Sequence, residues 1–244
     1  MLQILRSSES SSFAQGPFKI RRIRPGAILG RNADPAFGPF SVMDHANLDV
    51  GTVVSMHEHK NDEILSYMWR GSMVHEDSAG HRIAISPTRL MMMNAGRSFW
   101  HEESTPDVPV EMLQIFIRPA QADLDGTVNF FDRPNDFLNG DWNLIAAPDE
   151  DSAPLRIRQT VTLYDSHLLS GDEIVAPSPP GLTAWLYVMD GVVSLGDEFL
   201  GKGDAVTDLE SALPAIRAEA PSTLVLFLVN RQATGSMAGT ISGR

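Results

Sequence analysis

Tyr67-Met68-Trp69-Arg70-Gly71-Ser72-Met73-Val74 and, 120 residues later, Tyr187-Val188-Met189-Asp190-Gly191-Val192-Val193-Ser194 read as two copies of one device. In each, an apolar run that begins at a Tyr enters a Gly and leaves it as a second short run. Each copy then reaches a turn, Asp77-Ser78-Ala79-Gly80 in the first and Gly196-Asp197 in the second. A small-residue turn follows, Ser86-Pro87-Thr88 or Gly201-Lys202-Gly203-Asp204, before another strand. Only two of the eight aligned positions are identical, so the repeated order of strands and turns carries the comparison. An offset of about half of the 244 residues is what a duplicated β-domain leaves behind. The competing reading is one large sandwich with coincidental strand similarity.

Working outward, the remaining apolar segments are equally short. Residues 64–69, 83–85, 90–93, 110–117, 161–164, 182–189 and 224–229 are three to eight residues long and bounded by Gly, Pro, Asn, Asp or Ser. Short strands with frequent turns, and no long amphipathic helix, predict an all-β sandwich or barrel. Residues 126–144, rich in Asn, Asp, Pro and Gly, read as connector. The expected division is a first domain over residues 1–130 and a second over 131–244. The boundary falls in the polar stretch 121–153, with Asp149-Glu150-Asp151 as an acidic linker.

Composition narrows the function classes. Hydrophobic residues make up 43% and charged residues 20%, a globular balance. The formal charge of -12 disfavours direct contact with nucleic acid or an anionic membrane. The chain has no cysteine, which removes disulfides, thiolate metal sites, iron–sulfur clusters and cysteine nucleophiles. No segment approaches the ~18 apolar residues of a membrane span, and the first residues lack an export signal's apolar region. A soluble, cytoplasmic protein is the expectation.

Four of the seven histidines fall between residues 57 and 81. His57-Glu58-His59 follows a β-branched run, and on a strand the two imidazoles share a face about 6.5–7 Å apart along the chain. Chance alone gives roughly 0.2 such pairs in a chain of this composition, so the pair by itself is a weak signal. His101-Glu102-Glu103 repeats the spacing, with Glu102 on the opposite face. If the two strands face one another, His57, His59, His101 and Glu103 bring together three neutral nitrogens and a carboxylate. That set suits divalent iron, manganese, nickel, zinc or copper. Four protein ligands on an octahedral ion leave two positions open for a chelating substrate, or for substrate and dioxygen. The alternative is two solvated strand ends.

The His57-x-His59-x3-Glu63 spacing with Gly71, then Pro87 and His101, resembles the two cupin motifs, and the chain is similar to the pirin family of bicupins. The resemblance rests on Phe37-Gly38-Pro39-Phe40 before Met43-Asp44, on His57-x-His59, and on Gly71-Ser72-Met73-Val74-His75-Glu76-Asp77-Ser78-Ala79-Gly80. It continues through Met93-Asn94-Ala95-Gly96-Arg97, His101-x-Glu103 and Leu113-Gln114-Ile115, and more loosely to Gly201-x-Gly203-Asp204-Ala205. It implies a bicupin of two tandem antiparallel β-barrel, jelly-roll-like domains. It also implies one divalent metal ion, iron(II) first and Mn, Ni, Zn, Co or Cu as alternatives, held in the first domain by His57, His59, His101 and Glu103. Pirins usually follow the first His with Pro and the second with Arg-Gly-Phe-Glu; here Glu58 and Lys60-Asn61-Asp62-Glu63 stand instead. Their Pro-Gly-Asp turn appears as Pro87-Thr88-Arg89. No ligand is lost, so these departures bear on the pocket rim and the substrate. In many cupins the residue at Glu63 is a ligand; here it is expected behind the metal, orienting an imidazole, with a solvated or merely inward-facing acid as the alternative.

The remaining candidates have plainer readings. His75 and His81 bracket a hairpin and are expected to be solvated, His45 to have no role at the site, with a place near the cavity mouth as the alternative, and His167 to be isolated. Met91-Met92-Met93 is expected to be core packing. Residues 19–24 (KIRRIR) read as a strand with one charged face. Met56, Phe99 and Trp100 flank the ligands and are expected to wall an apolar cavity. No histidine follows residue 167, so the second domain cannot repeat the site. The resemblance implies a quercetinase-type dioxygenase acting on a small aromatic, flavonol-like substrate with dioxygen, Glu103 taking the phenolic proton. Its alternative implication is a non-enzymatic metal and redox sensor that binds a protein partner.

Overall fold

On the strand Val110–Ile117, Leu113, Ile115 and Ile117 enter a central apolar core while Gln114 and Phe116, of opposite parity, line an internal cavity. On Ser222–Val229, Val225, Phe227 and Val229 enter the same central core, and Leu224, Leu226 and Leu228 enter a second one. Strands buried on both faces read as unbroken apolar runs, which is why the sequence shows runs here and not alternation.

The computed structural model describes residues 1–30, 34–148 and 153–244. Each half consists of a seven-stranded and a four-stranded antiparallel-dominated sheet facing each other, jelly-roll-like and not closed into a barrel. The first four-stranded sheet runs Val53–His59, Phe99–Ser104, Met73–Asp77, Arg82–Ile85. Its counterpart runs Glu173–Ile174, Ile216–Ala218, Val192–Leu195, Glu198–Gly201. The first large sheet runs Thr127–Asp132, Arg89–Asn94, Glu63–Arg70, Val110–Ile117, Phe40–Leu48, Phe18–Ile23, Ser11–Gln15. The second runs Leu2–Leu5, Ala205–Asp208, Thr183–Asp190, Ser222–Val229, Val161–Leu168, Asn143–Ala147, Leu155–Arg156. The orders correspond strand for strand, as a duplicated all-β chain requires.

Two features cross the halves. The N-terminal strand Leu2–Leu5 pairs with Ala205–Asp208 and occupies in the second large sheet the edge place that Thr127–Asp132 fills in the first. The C-terminal segment returns to the first half, with Ser236 N–H on Pro119 O at 2.8 Å and Thr240 N–H on Lys60 O at 2.9 Å. Residues 126–144, expected as connector, therefore hold strands at both ends, because Thr127–Asp132 finds a free edge to pair with. The acidic linker Asp149-Glu150-Asp151 lies outside the described residues.

The two large sheets pack face to face through the central core, where Phe40 stacks on Phe227 at 4.1 Å and meets Trp185 edge-on at 5.2 Å. Gly71 and Gly191 confirm the repeat physically. Both have positive φ, +79° and +89°, and a Cβ at either would strike backbone, the Pro109 carbonyl in the first half and the Pro221 carbonyl in the second. Thr88 turns the chain without positive φ, between mutual Ser86–Arg89 backbone bonds of 2.9 and 3.0 Å. No helix among the described residues is long and apolar enough to cross a membrane.

Candidate metal centre

The strand Phe99–Ser104 lies between Val53–His59 and Met73–Asp77 and alternates strictly, with Phe99, His101 and Glu103 buried and Trp100 exposed. Antiparallel register sets Phe99 opposite His59 and His101 opposite His57. The register shifts between His101 and Glu103, so that Glu103 stands opposite Val54, the extra residue being taken up on Val53–His59. On the other flank Glu103 stands opposite His75 and His101 opposite Asp77. Directly opposed residues share a face about 4.5–5.5 Å apart, so three strands converge on one spot.

The imidazoles cluster accordingly. Ring centroids lie 4.5 Å apart for His57–His101, 4.9 Å for His57–His59, 5.1 Å for His59–His101 and 5.4 Å for His75–His101. Ligand-type atoms of His57, His59 and His101 fall within 4.8 Å of one another, as do those of His75, His101 and Glu103. Two overlapping sets thus share His101. Of the sequence-predicted residues, His57, His59 and His101 group with one another, whereas Glu103 groups with His101 and His75 and not with His57 and His59.

Tautomers decide what the cluster can hold. His57 Nδ1 faces Ser55 O at 2.9 Å and His59 Nδ1 faces Asp62 Oδ2 at 2.9 Å, and both acceptors require the proton on Nδ1. Each Nε2 therefore carries a lone pair, and the two Nε2 atoms are 3.1 Å apart. Two nitrogens bound at about 2.0–2.1 Å to one ion sit roughly 2.8–3.4 Å apart, whether its geometry is octahedral or tetrahedral. Both His101 ring nitrogens and Glu103 Oε1 are buried without a hydrogen-bond partner. Unpartnered buried polar atoms are costly, and a cation here satisfies one His101 nitrogen together with Glu103 Oε1. The residues present fit a transition-metal ion.

Electrostatics agree. Burial, then the neighbouring His57, His59 and His75, push the His101 imidazolium down to about 2, so the ring is neutral at working pH. Burial also lowers His57 and His75. Burial pushes the Glu103 carboxyl up to about 7, against a hydrogen bond from Gln114. The cavity in front measures about 170 Å³ and is walled by Phe18, Leu48, Val54, Met112, Phe116 and Ile241.

Several expectations need correction. Met56 and Trp100 do not wall the cavity; they are 46% and 44% exposed on the outer face, having the opposite parity to the ligand-type residues. His75 is fully buried and faces the cluster, because register places it opposite Glu103; its Nε2 meets Asp77 Oδ2 at 2.9 Å. His81 is part-exposed and shares Asp77. Glu63 touches no imidazole; it accepts from Asn94 Nδ2 at 2.5 Å and Arg158 N–H at 2.9 Å, and burial pushes its carboxyl up to about 7. The carboxylate behind His59 is Asp62, missed because it lies in the connection between Val53–His59 and Glu63–Arg70, where strand alternation assigns no face. His45 is buried against Tyr187 and Glu111 on the far side of its sheet, and His167 is paired with Asp165. Residues 19–24 carry charge on both faces: Arg22 binds Asp44 beside the cavity and Arg21 binds Tyr187 of the second half. Met91, Met92 and Met93 are core, as expected.

Comparison with known proteins places this geometry. The Pirin family model matches residues 19–117 and the model of the quercetinase C-terminal cupin domain matches residues 144–229. A protein of Escherichia coli K12 named quercetin 2,3-dioxygenase is 28% identical over 199 residues, 80% of this chain and 85% of that one. Human pirin is 27% identical over 178 residues, 69% of this chain and 60% of its own. The crystal structure of YhhW from Escherichia coli superposes with a TM-score of 0.82 at 21% identity, covering 94% of this chain and 97% of that one. Its nickel(II) complex superposes equally well.

Proposed function

Because the chain is a pirin-like bicupin, we propose that it is a metal-dependent dioxygenase of the quercetinase type, with His57, His59, His101 and Glu103 as ligands of one divalent transition-metal ion. The observation that carries this reading is the pair of converging His57 and His59 Nε2 lone pairs, 3.1 Å apart, beside the partnerless His101 nitrogens and Glu103 Oε1 in an apolar cavity. Iron(II) is the first candidate, with Mn, Ni, Co, Zn and Cu as alternatives; a nickel(II) complex exists of the bacterial pirin compared above.

When bound, the ion supplies Lewis-acid charge and a common point of contact for a chelating oxygen substrate and dioxygen. The chain does the rest. Glu103, the one basic oxygen of the set, takes the acidic hydroxyl proton of a flavonol-like substrate. Phe116, Met112 and Leu48 exclude water and contact the aromatic face. A cavity of ~150 Å³ holds one benzene ring, so the 170 Å³ here accepts one ring of a flavonol while the rest extends through the mouth. The ligand-bearing half is residues 1–130. Residues 131–244 supply Ile241 to the cavity wall and otherwise act structurally, since Leu186, Val188, Leu224 and Leu226 fill the interior where the first half keeps its cavity.

The test is elemental analysis of purified wild type beside His101→Ala, followed by turnover of a flavonol with each metal. One ion per chain lost in His101→Ala, with bleaching of the flavonol band and uptake of dioxygen by wild type, is the expected result. Equal metal in both proteins refutes the site. Metal without turnover of any flavonol refutes the dioxygenase assignment.

A further inference from the structure

Asp62 is fully buried, and its carboxylate ties a neighbouring histidine to a distant part of the chain. Its Oδ2 accepts from His59 Nδ1 at 2.9 Å. Its Oδ1 accepts from the Ser242 N–H at 2.9 Å and the Ser242 hydroxyl at 2.7 Å, and the Ile241 N–H reaches the two oxygens at 3.2 and 3.1 Å. The partners on one side are a candidate metal ligand three residues away, and on the other a segment about 180 residues away.

That segment is fitted, not merely adjacent. Thr240 and Lys60 exchange bonds, Thr240 N–H to Lys60 O at 2.9 Å and Lys60 N–H to Thr240 Oγ1 at 2.8 Å. Ser242 O accepts from Ser41 Oγ at 2.7 Å and Arg118 Nε at 3.1 Å. A Cβ on Gly239 would strike Ser242 Oγ and crowd Asp62 Oδ1, and one on Gly243 would strike the Met237 carbonyl. Ile241, which bonds Asp62 through its own N–H, lines the cavity and packs beside Phe116.

We propose that Asp62 is a positioning residue for His59, and that residues 239–243 form the strap that holds Asp62 in place while supplying Ile241 as a cavity wall. The metal site of the first half is thus completed from the far end of the chain. A carboxylate accepting Nδ1–H fixes the imidazole's tautomer and angle and raises the basicity of Nε2. The Ser242 and Ile241 donors leave Asp62 no other orientation. This inference rests on reading His59 as a ligand only where it concerns the metal; the tautomer it requires is testable without one.

The experiment compares wild type, Asp62→Asn, Ser242→Ala and Glu63→Gln, each checked for fold by circular dichroism. In metal-free protein carrying nitrogen-15 histidine, long-range proton–nitrogen spectra above neutral pH report the His59 tautomer. Cobalt(II) titration reports affinity and, through its visible bands, ligand geometry. Wild type shows His59 protonated at Nδ1. Asp62→Asn shows a mixture of tautomers and binds cobalt(II) roughly 10–100-fold more weakly with shifted bands. Ser242→Ala moves both readouts in the same direction by less, and Glu63→Gln, whose carboxylate touches no imidazole, moves neither. A wild-type tautomer ratio and affinity in Asp62→Asn overturns the inference. If wild type binds no cobalt(II) while Asp62→Asn still alters the tautomer, the metal reading fails and the positioning role stands.

Discussion

Tyr67 donates its hydroxyl proton to Asp165 at 2.8 Å across the interface between the two halves. Its counterpart Tyr187, 120 residues later, meets His45, which itself lies 120 residues before Asp165, at 2.7 Å. The duplicated strand pairs thus reach across to each other in both directions. Each acceptor is further held within its surroundings, Asp165 by a two-pronged Arg133 at 2.7 and 2.7 Å and His45 by Glu111 at 2.8 Å. Burial, with the Asp165 charge adding to it, pushes the Tyr67 hydroxyl well up, and burial pushes Tyr187 up to about 12, so both remain donors.

Removing partners from this interface has unequal effects. Tyr67→Phe leaves Asp165 with Arg133 and His167 and costs about 1 kcal/mol. Asp165→Ala strands the Arg133 guanidinium, only 2% exposed, and costs about 3–5 kcal/mol. Denaturant unfolding measures both. Metal content stays at the wild-type level in each folded variant, since neither residue approaches the cavity.

The two repeat glycines respond alike. Gly71→Ala and Gly191→Ala each force a Cβ into backbone at positive φ and destabilise by about 2 kcal/mol or more. Gly80→Ala, at φ +93° in open space, costs about 1 kcal/mol. Thermal melts of the three variants check the order, and equal costs at all three positions would refute the packing argument.

Glu63 makes stability depend on pH. Its carboxyl rises from 4.5 unfolded to about 7 folded, so between these values the folded state holds a proton that the unfolded state has released. Stability from this group is fully present below about 4.5 and is lost as pH rises through about 7, by an amount on the order of 3 kcal/mol. Glu63→Gln removes the loss. The variant gains relative to wild type as pH rises across that window, and a difference independent of pH would contradict the assignment.

Metal removal separates ligation from proton transfer. A chelator lowers the melting temperature of wild type, by the equivalent of ~3 kcal/mol if free ion stood at about 100 times its dissociation constant, and leaves His101→Ala unaffected. Glu103→Gln retains a neutral oxygen donor and the three imidazoles, so it binds metal more weakly yet loses flavonol turnover by ~100-fold or more. Proportionate loss of both would make Glu103 a ligand without a role as base.

Local patterns were legible in the sequence because their causes are local. Alternation along a strand places His57 with His59, and His101 with Glu103, on common faces, and the same rule applied to Met56 and Trp100 puts them outside. Gly71 and Gly191 announced the repeat because only glycine fits a positive φ against a neighbouring carbonyl. Pairing across long sequence separations was decided by the tertiary structure alone. Register set His75 opposite Glu103, and an extra residue on Val53–His59 set Val54 opposite it on the other flank. The free edge of the second sheet captured Leu2–Leu5. Asp62, in a connection where alternation assigns no face, became the support of His59 because Ser242 and Ile241 return about 180 residues later to satisfy its other lone pairs. Periodicity encodes which face a side chain takes; which distant group meets it there depends on hydrogen bonds and packing that exist only once the chain has folded.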